Sequence, residues 1–352
     1  MKKKKILISS TTFNRDIKDG IFYYTKSLSK HFSKIYKIKK VAFERKYNFW
    51  TRYPYSFYAI ANQFAKIDFK LKSNIDLIHI TDHRFLYSKT TPVISTIHDI
   101  IPLEHPEWEK NFFRKIFYKK IFLKGMEYSD QIITVSNFSA NKLNLLGIKS
   151  SKINVVYNAP KTIFLNDKKL IKKDKYLLFV GTISPRKNLL RVLKALILLD
   201  KAIFKNYKLI VIGKISLILP EENLLLKQLI KINKVIFLNN ISDSTLLTYY
   251  KKSELLIFPS LNEGFGYPIL EAFATKLPVI TSKYGATKEI ANNAALLINP
   301  FKVEEIKNAI TEIITNNLLK RKLIKKGTKR LRFFTHKKLI NETDKVYQKS
   351  IL

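Results

Sequence analysis

The sequence predicts an α/β protein of two doubly wound, Rossmann-like domains facing each other across a cleft. Three observations carry this expectation. The chain has 352 residues, 46% of them hydrophobic, more than one core comfortably holds, so two domains are expected. Short β-branched runs alternate with longer stretches of helical period, as in parallel α/β units. Over residues 159–175 the chain turns polar and lysine-rich behind Pro160, which suits a linker between compact halves.

The opening Met-Lys-Lys-Lys-Lys and the apolar Ile6-Leu7-Ile8 imitate a signal peptide. Ser9-Ser10-Thr11-Thr12 ends the run short of the roughly 7–15 residues such a core needs. Residues 6–9 are therefore expected to form the first strand. Further strands are predicted at 77–80, 93–96, 132–135 and 153–156, completing a first domain over 1–165. The second domain, 166–336, alternates more clearly. Its strands are predicted at 176–180, 208–212, 235–238, 255–258, 279–281 and 295–298, with helical patterns at 188–199, 221–231, 244–251 and 303–315. Apolar strands without polar alternation suit a sheet covered on both faces. Ligands of open parallel sheets lie beyond the carboxyl ends of the strands, so chemistry is expected in the cleft.

Composition excludes several classes. There is no cysteine, which removes disulfides, thiolate chemistry and cysteine-ligated metals and leaves a cytoplasmic location as the expectation. Lysines interrupt every apolar run before about 18 residues, so no transmembrane helix is expected. The six histidines (31, 79, 83, 98, 105 and 336) show no His-Glu-x-x-His spacing of a zinc hydrolase. His79 and His83 are four apart but straddle a predicted strand end. The formal net charge of +38 is spread over both halves. It implies a general preference for anionic partners, whether nucleotide, nucleic acid or membrane, although joint richness in Lys, Ile and Asn also marks a coding bias.

The most informative stretch is Phe258-Pro-Ser-Leu-Asn-Glu-Gly-Phe-Gly-Tyr-Pro-Ile-Leu-Glu271. A strand ends at Pro259, a glycine-containing loop follows, and Pro268 is placed to open a helix. The amides of Gly264, Phe265 and Gly266 and the helix N-terminus would converge on one spot, which binds phosphate without a basic side chain. Glu263 lies in the loop and Glu271 about one turn into the helix, so both can face one ligand. Carboxylates beside an anion site make sense as acceptors for neutral sugar and ribose hydroxyls. The second stretch, Val180-Gly-Thr-Ile-Ser-Pro-Arg-Lys-Asn188, carries Arg186 and Lys187 ahead of Asn188, which is expected to cap the next helix. Cations there would stabilise charge developing on a departing phosphate more than they stabilise the ground state.

The first stretch resembles the Glu-x7-Glu signature of family-4 retaining glycosyltransferases, the group-1 glycosyl transferase domain, whose fold is called GT-B. Ile241-Ser-Asp-Ser-Thr-Leu-Leu before it, and Leu277-Pro-Val-Ile and Ala294-Ala-Leu-Leu after it, agree, and the resemblance covers most of residues 176–315. The second resembles the Gly-Thr-x-x-Pro-Arg-Lys-Asn form of mannosyltransferase-like members. Thr182 stands where many relatives carry Arg, so one diphosphate contact is missing or comes from elsewhere. The resemblance implies that Glu263 holds the transferred sugar, Glu271 the ribose, and Lys187 and Arg186 the diphosphate. Ser95-Thr-Ile-His-Asp-Ile-Ile-Pro102 resembles the family's His-Asp-x-x-Pro segment, which puts His98 beside the reacting sugar. Asp99 either orients the imidazole or satisfies the loop backbone. Asp19-Gly20-Ile21 resembles a truncated Gly-Gly-Ile loop, through which Gly20 would approach the diphosphate or acceptor. Ile133-Thr-Val-Ser-Asn-Phe-Ser139 matches a further family segment and is expected to be structural. Asn158 either shapes the hinge or touches the acceptor. The family's C-terminal helix crosses back onto the first domain, which is expected of 337–352 with Leu339, Val346 and Tyr347 on one face.

The expected reaction is direct hexosyl transfer from a nucleotide-diphosphate sugar, through an oxocarbenium-like transition state and with retention implied by the family. Domain closure would exclude water. Neither a metal nor a cofactor is expected, since no Asp-x-Asp of the metal-dependent, single-domain glycosyltransferases occurs. The donor's sugar and base stay open, with GDP-mannose suggested by the Thr182 form. The acceptor is expected to be a glycan or lipid-linked molecule of surface polysaccharide synthesis. Residues 110–124 hold six basic and five aromatic residues and no acid. That composition suits peripheral docking on the anionic inner face of a membrane, although the helical wheel shows no clean separation of faces. A basic nucleic-acid-binding protein is the competing class, but it leaves Glu263 and Glu271 unexplained, so no nucleic-acid partner is expected. A sugar-nucleotide epimerase on the same fold would differ in needing no acceptor.

Overall fold

The computed structural model describes residues 3–14, 19–41, 74–82, 86–108, 122–167 and 171–351. The chain divides into two compact units, Met1–Asn158 joined by His336–Leu352, and Ala159–Thr335. Each unit is built on one six-stranded sheet whose pairings are all parallel. In the first the strands are β1 Lys5–Ser9, β2 Lys37–Val41, β3 Leu77–Ile80, β4 Val93–Ile97, β5 Gln131–Thr134 and β6 Ile153–Val155. Their order across the sheet is β2-β1-β3-β4-β5-β6. The second holds β7 Tyr176–Val180, β8 Lys208–Ile212, β9 Val235–Leu238, β10 Leu255–Phe258, β11 Val279–Ser282 and β12 Leu296–Ile298, in the order β12-β11-β10-β7-β8-β9.

The central strands are apolar because both faces are covered: every residue of β3, β4, β10 and β11 is buried. Leu177, Phe179, Leu193, Val211, Leu255, Ile257 and Ile310 meet in the core of the second unit, each side chain contributing roughly 1.5–3 kcal/mol by leaving water. The strand β2, Lys-Ile-Lys-Lys-Val, escapes a search for apolar runs. It lies at the sheet edge with only Val41 buried, and lysines on an edge strand discourage pairing with another chain. Helix starts carry the residues that satisfy orphan amides. Asp19 accepts from Phe22 N–H ahead of Gly20–Phe32, Ser136 from Ser139 N–H ahead of Asn137–Leu145, and Ser242 from Thr245 N–H ahead of Asp243–Lys252.

The last helix, His336–Ile351, packs within the first unit and buries Leu339, Ile340, Thr343, Val346 and Tyr347. The Tyr347 hydroxyl meets His79 Nδ1 at 2.6 Å, its ring lies 4.8 Å from that of Phe32, and Tyr36 donates to Asp344 at 2.5 Å. Among the described residues no helix is long and apolar enough to cross a membrane. Residues 109–121, most of the basic-aromatic segment, lie outside the described residues, as does His83.

Each chain path starts in mid-sheet, leaves to one side and returns on the other. β1 leads to β2 and then to β3 on its opposite flank; β7 leads to β8 and β9 and then to β10. The loops leaving β1 and β3, and those leaving β7 and β10, diverge at such switch points, where open α/β sheets bind ligands.

Candidate functional site

The second unit's switch point is built from two loops. After β7, Gly181 has φ 150°, and a Cβ there would come within 3.1 Å of the Lys187 side chain. Glycine therefore makes room for that lysine to fold back. A short turn, Pro185–Lys187, leads to Asn188 in the left-handed region at φ 66°, which asparagine tolerates. The expected capping role of Asn188 is not what the structure shows. The helix runs Leu189–Ile197 without a side-chain cap. Asn188 Nδ2 instead donates to the carbonyls of Pro259 at 3.1 Å and Pro300 at 2.7 Å, while its Oδ1 accepts from Arg191 at 2.9 Å. Leu261 N–H donates to Arg186 O at 2.7 Å. The asparagine thus rivets together the loops that follow β7, β10 and β12.

On this frame Arg186, Lys187 and Glu263 converge. Arg186 Nη1 lies 2.7 Å from Glu263 Oε2 and Lys187 Nζ 2.5 Å from Oε1, and the ammonium also sits 4.6 Å from the Phe258 ring centroid, a cation–π position. Lys187 is 7% exposed and Glu263 9%. Burial alone would raise the Glu263 carboxyl, but the adjacent Arg186 and Lys187 charges outweigh it and hold its pKa at about 2. The cluster carries two cations for one anion.

Beyond it the helix Tyr267–Ala274 begins at Gly266, with Pro268 in its first turn. Gly266 has φ 124°, and a Cβ would meet Ile269 at 3.1 Å; only glycine suits this turn. The Phe265 side chain is buried against Tyr267 and Phe334, so its backbone is the part that can serve a ligand. Glu271, 3% exposed, takes partners different from those of Glu263. Tyr250 O–H donates to its Oε2 at 2.8 Å, and Lys161 Nζ lies 3.6 Å from Oε1 and 2.9 Å from Asp243 Oδ1. Burial raises the Glu271 pKa, and the opposing Lys161 charge does not fully restore it. Lys161, Tyr250 and Asp243 were not legible beforehand. Lys161 is one lysine among many in a polar stretch, and Tyr250 reads as part of the apolar stripe with Leu246 and Leu247.

In the first unit His98 follows β4, is 9% exposed and lies 3.1 Å from the Thr81 carbonyl through Nε2. A carbonyl only accepts, so Nε2 carries the proton. The Tyr24 ring meets the imidazole edge-on at 5.0 Å. Asp99 accepts from Ile101 N–H at 3.1 Å, which is the backbone role of its two alternatives. Gly20 is no loop residue but the first residue of the helix Gly20–Phe32, which follows β1 at that unit's switch point. Asn158 is buried, and its side-chain amide finds no hydrogen-bond partner among the described residues. Among the described residues no three His, Asp or Glu side chains gather as a metal site requires.

A family model of the glycosyl transferases group 1 matches residues 161–330, and one of glycosyltransferase family 4 matches residues 23–161. Together the two matches span residues 23–330, so the chain is built of a glycosyltransferase family 4 domain followed by a glycosyl transferases group 1 domain. The O-antigen chain mannosyltransferase RfbU of Salmonella typhimurium is 30% identical over 62% of this chain and 60% of its own length. O-antigen chain mannosyltransferase B of Escherichia coli is 24% identical over 79% of this chain and 76% of its own. The chain therefore spans about three fifths of the first relative. Among solved structures, HepE of Anabaena in complex with UDP and glucose matches with a TM-score of 0.72 at 16% identity, covering 98% of this chain and 99% of that one. This likeness shows the fold, GT-B. Within the group 1 domain the structure gathers Arg186, Lys187, Glu263 and the 264–266 loop at one switch point. It gives Glu271 a separate cluster and sets His98 and Gly20 in the other unit.

Proposed function

We propose that this glycosyltransferase moves a hexose, with retention, from a nucleotide-diphosphate sugar to a glycan or lipid-linked acceptor of surface polysaccharide synthesis. The observation that carries the reading is the Arg186–Glu263–Lys187 triad at the crevice between β7 and β10, its lysine and glutamate buried and its arginine part-buried. Its surplus positive charge suits a diphosphate, while its carboxylate suits a sugar hydroxyl. As the bond between the anomeric carbon and the phosphate oxygen breaks, its electron pair passes to that oxygen. The guanidinium and ammonium groups, with the 264–266 amides at a helix start, stabilise the growing charge without reorganising. The bond to the acceptor oxygen forms as the acceptor's proton passes to the departing phosphate. Glu263 and His98 hold the sugar, Glu271 the ribose, and Gly20 approaches the diphosphate or acceptor.

Both relatives are named as O-antigen chain mannosyltransferases, which supports mannose and, with the Thr182 form, GDP-mannose as donor. The UDP and glucose in the HepE complex support a nucleotide-sugar donor in general. The test is nucleotide release from a panel of nucleotide sugars in the presence of a membrane-derived acceptor. GDP release from GDP-mannose is expected, reduced roughly 100-fold or more by Lys187→Ala. A folded Lys187→Ala enzyme with near-normal turnover would remove the lysine from the diphosphate site. Release from another nucleotide sugar alone would replace the donor.

The basic-aromatic run 110–124 supports peripheral docking on an anionic membrane face, each Lys or Arg near lipid contributing about 1 kcal/mol. Co-sedimentation with anionic vesicles should weaken with salt and with the double charge reversal Lys119→Glu, Lys120→Glu. Equal recovery with neutral and anionic vesicles would defeat it.

A further inference from the structure

The Glu271 carboxylate is nearly enclosed, and the groups around it are arranged from inside outward. Tyr250, fully buried, occupies Oε2. Lys161, with its side chain 14% exposed, stands by Oε1, and Asp243, 32% exposed, holds the same ammonium from the outer side. The lysine is nearer Asp243, at 2.9 Å, than Glu271, at 3.6 Å. Asp243 thus fixes where the ammonium stands, and the ammonium acts on Glu271 across a short gap. A carboxylate has about four lone-pair sites, so the single bond from Tyr250 leaves acceptor capacity on both oxygens. Burial pushes the Glu271 carboxyl up, and Lys161 leads the groups that draw it back. Without that cation the carboxyl would hold a proton more readily, and a proton takes up one of the acceptor sites.

We propose that Lys161 is a positioning residue for donor recognition: held by Asp243, its ammonium keeps Glu271 a two-oxygen acceptor for the ribose hydroxyls of the nucleotide. The proposal rests on the reading of Glu271 as the ribose contact. Lys161 is also the third residue of the second unit, so ribose recognition is tied to the segment by which the chain enters that unit.

The test titrates the full chain calorimetrically with GDP and UDP, each beside its 2′,3′-dideoxy analogue. In the unaltered protein the ribonucleotide binds more tightly, and the ratio of the two affinities reports the hydroxyl contacts. Lys161→Met should weaken the ribonucleotide about tenfold, as for loss of a charge-assisted hydrogen bond, and leave the dideoxy analogue within about twofold, collapsing the ratio. Lys161→Arg should restore most of it. Equal weakening of both nucleotides would show a merely structural lysine and overturn the proposal. A ratio unchanged in Lys161→Met but collapsed in Glu271→Gln overturns the role of Lys161 and keeps Glu271 on the ribose. A ratio that survives Glu271→Gln, or binding of neither nucleotide, overturns the ribose reading itself. Should Lys161→Met not fold, Lys161→Gln removes the charge while keeping a polar side chain of similar length and must lower the ratio in part. No change there also overturns the proposal.

Discussion

The two units bury polar groups of different kinds. In the first, Tyr24, Thr96, His79 and Tyr347 form a run of neutral hydrogen bonds, from the Tyr24 hydroxyl to Thr96 at 2.9 Å, on to His79 at 2.8 Å and to Tyr347 at 2.6 Å. His79 stays uncharged because burial, and then the nearby His98, lower its pKa to about 3. In the second unit charged groups are buried as well: Lys187 and Glu263, with the part-buried Arg186 beside them, and Glu271 against the part-buried Lys161. A satisfied neutral run is inexpensive to bury and locks the last helix onto β3. Buried ions lose several kcal/mol each in desolvation, and they persist where an ionic ligand is to be met. The paired interior charges of the second unit thus gather at the candidate site and the neutral run belongs to the scaffold, while buried Glu222 serves the backbone, accepting from Leu190 N–H and Leu219 N–H.

The largest effect should come from breaking the triad. Glu263→Gln leaves two cations without their anion, and the second unit should lose about 3–5 kcal/mol. Glu342→Gln, which breaks the exposed Lys345–Glu342 pair, should change stability by no more than about 1 kcal/mol. Urea unfolding followed by segment-resolved hydrogen exchange separates the two. Equal small shifts would mean that the triad is energetically a surface pair.

A smaller effect, of opposite location, should follow from acid. His79 has a folded pKa of about 3 and an ordinary value near 6.5 unfolded. Below about pH 6.5 the unfolded chain binds a proton that the folded chain refuses, so stability falls with pH. From pH 6.5 to 5 the first unit should lose up to about 2 kcal/mol. Glu263, held at about 2, contributes stability that is present above its unfolded value of 4.5 and is lost only as pH falls through 2, so the triad is indifferent to this range. Glu271 has a raised pKa, so the folded chain takes up its proton first and acid works slightly in the second unit's favour. Hydrogen exchange at pH 7 and pH 5 should therefore loosen the peptides of β3, β4 and the final helix first. Loosening of the second unit ahead of these would dissolve the distinction between neutral scaffold and charged site.

Much of this was legible in the chain itself. Central strands such as Tyr176–Val180 and Leu255–Phe258 announce themselves because a strand covered on both faces must be apolar along its whole length. Arg186, Lys187 and Glu263 were legible because a loop leaving a strand needs glycine and proline at fixed places, and charged residues set among them have no structural reason to be there. The edge strand Lys37–Val41 was not, since a strand covered on one side carries no apolar signature. Nor was the helix start at Gly20, where an aspartate cap and a loop are written with the same residues.

By itself the sequence determined the alternation of strands and helices and which loops carry charge, because those depend on side chains close together in the chain. Tertiary structure alone decided the partners. His79 reads as half of a spoiled histidine pair until the fold brings in Tyr347 from 268 residues away. Asn188 reads as a cap until the carbonyls of Pro259 and Pro300 arrive to take its amide. Lys161 reads as linker charge until Glu271 is buried beside it. Burial and pairing arise only when distant segments exclude water together, and no local pattern encodes which of many lysines will stand next to the one carboxylate that needs it.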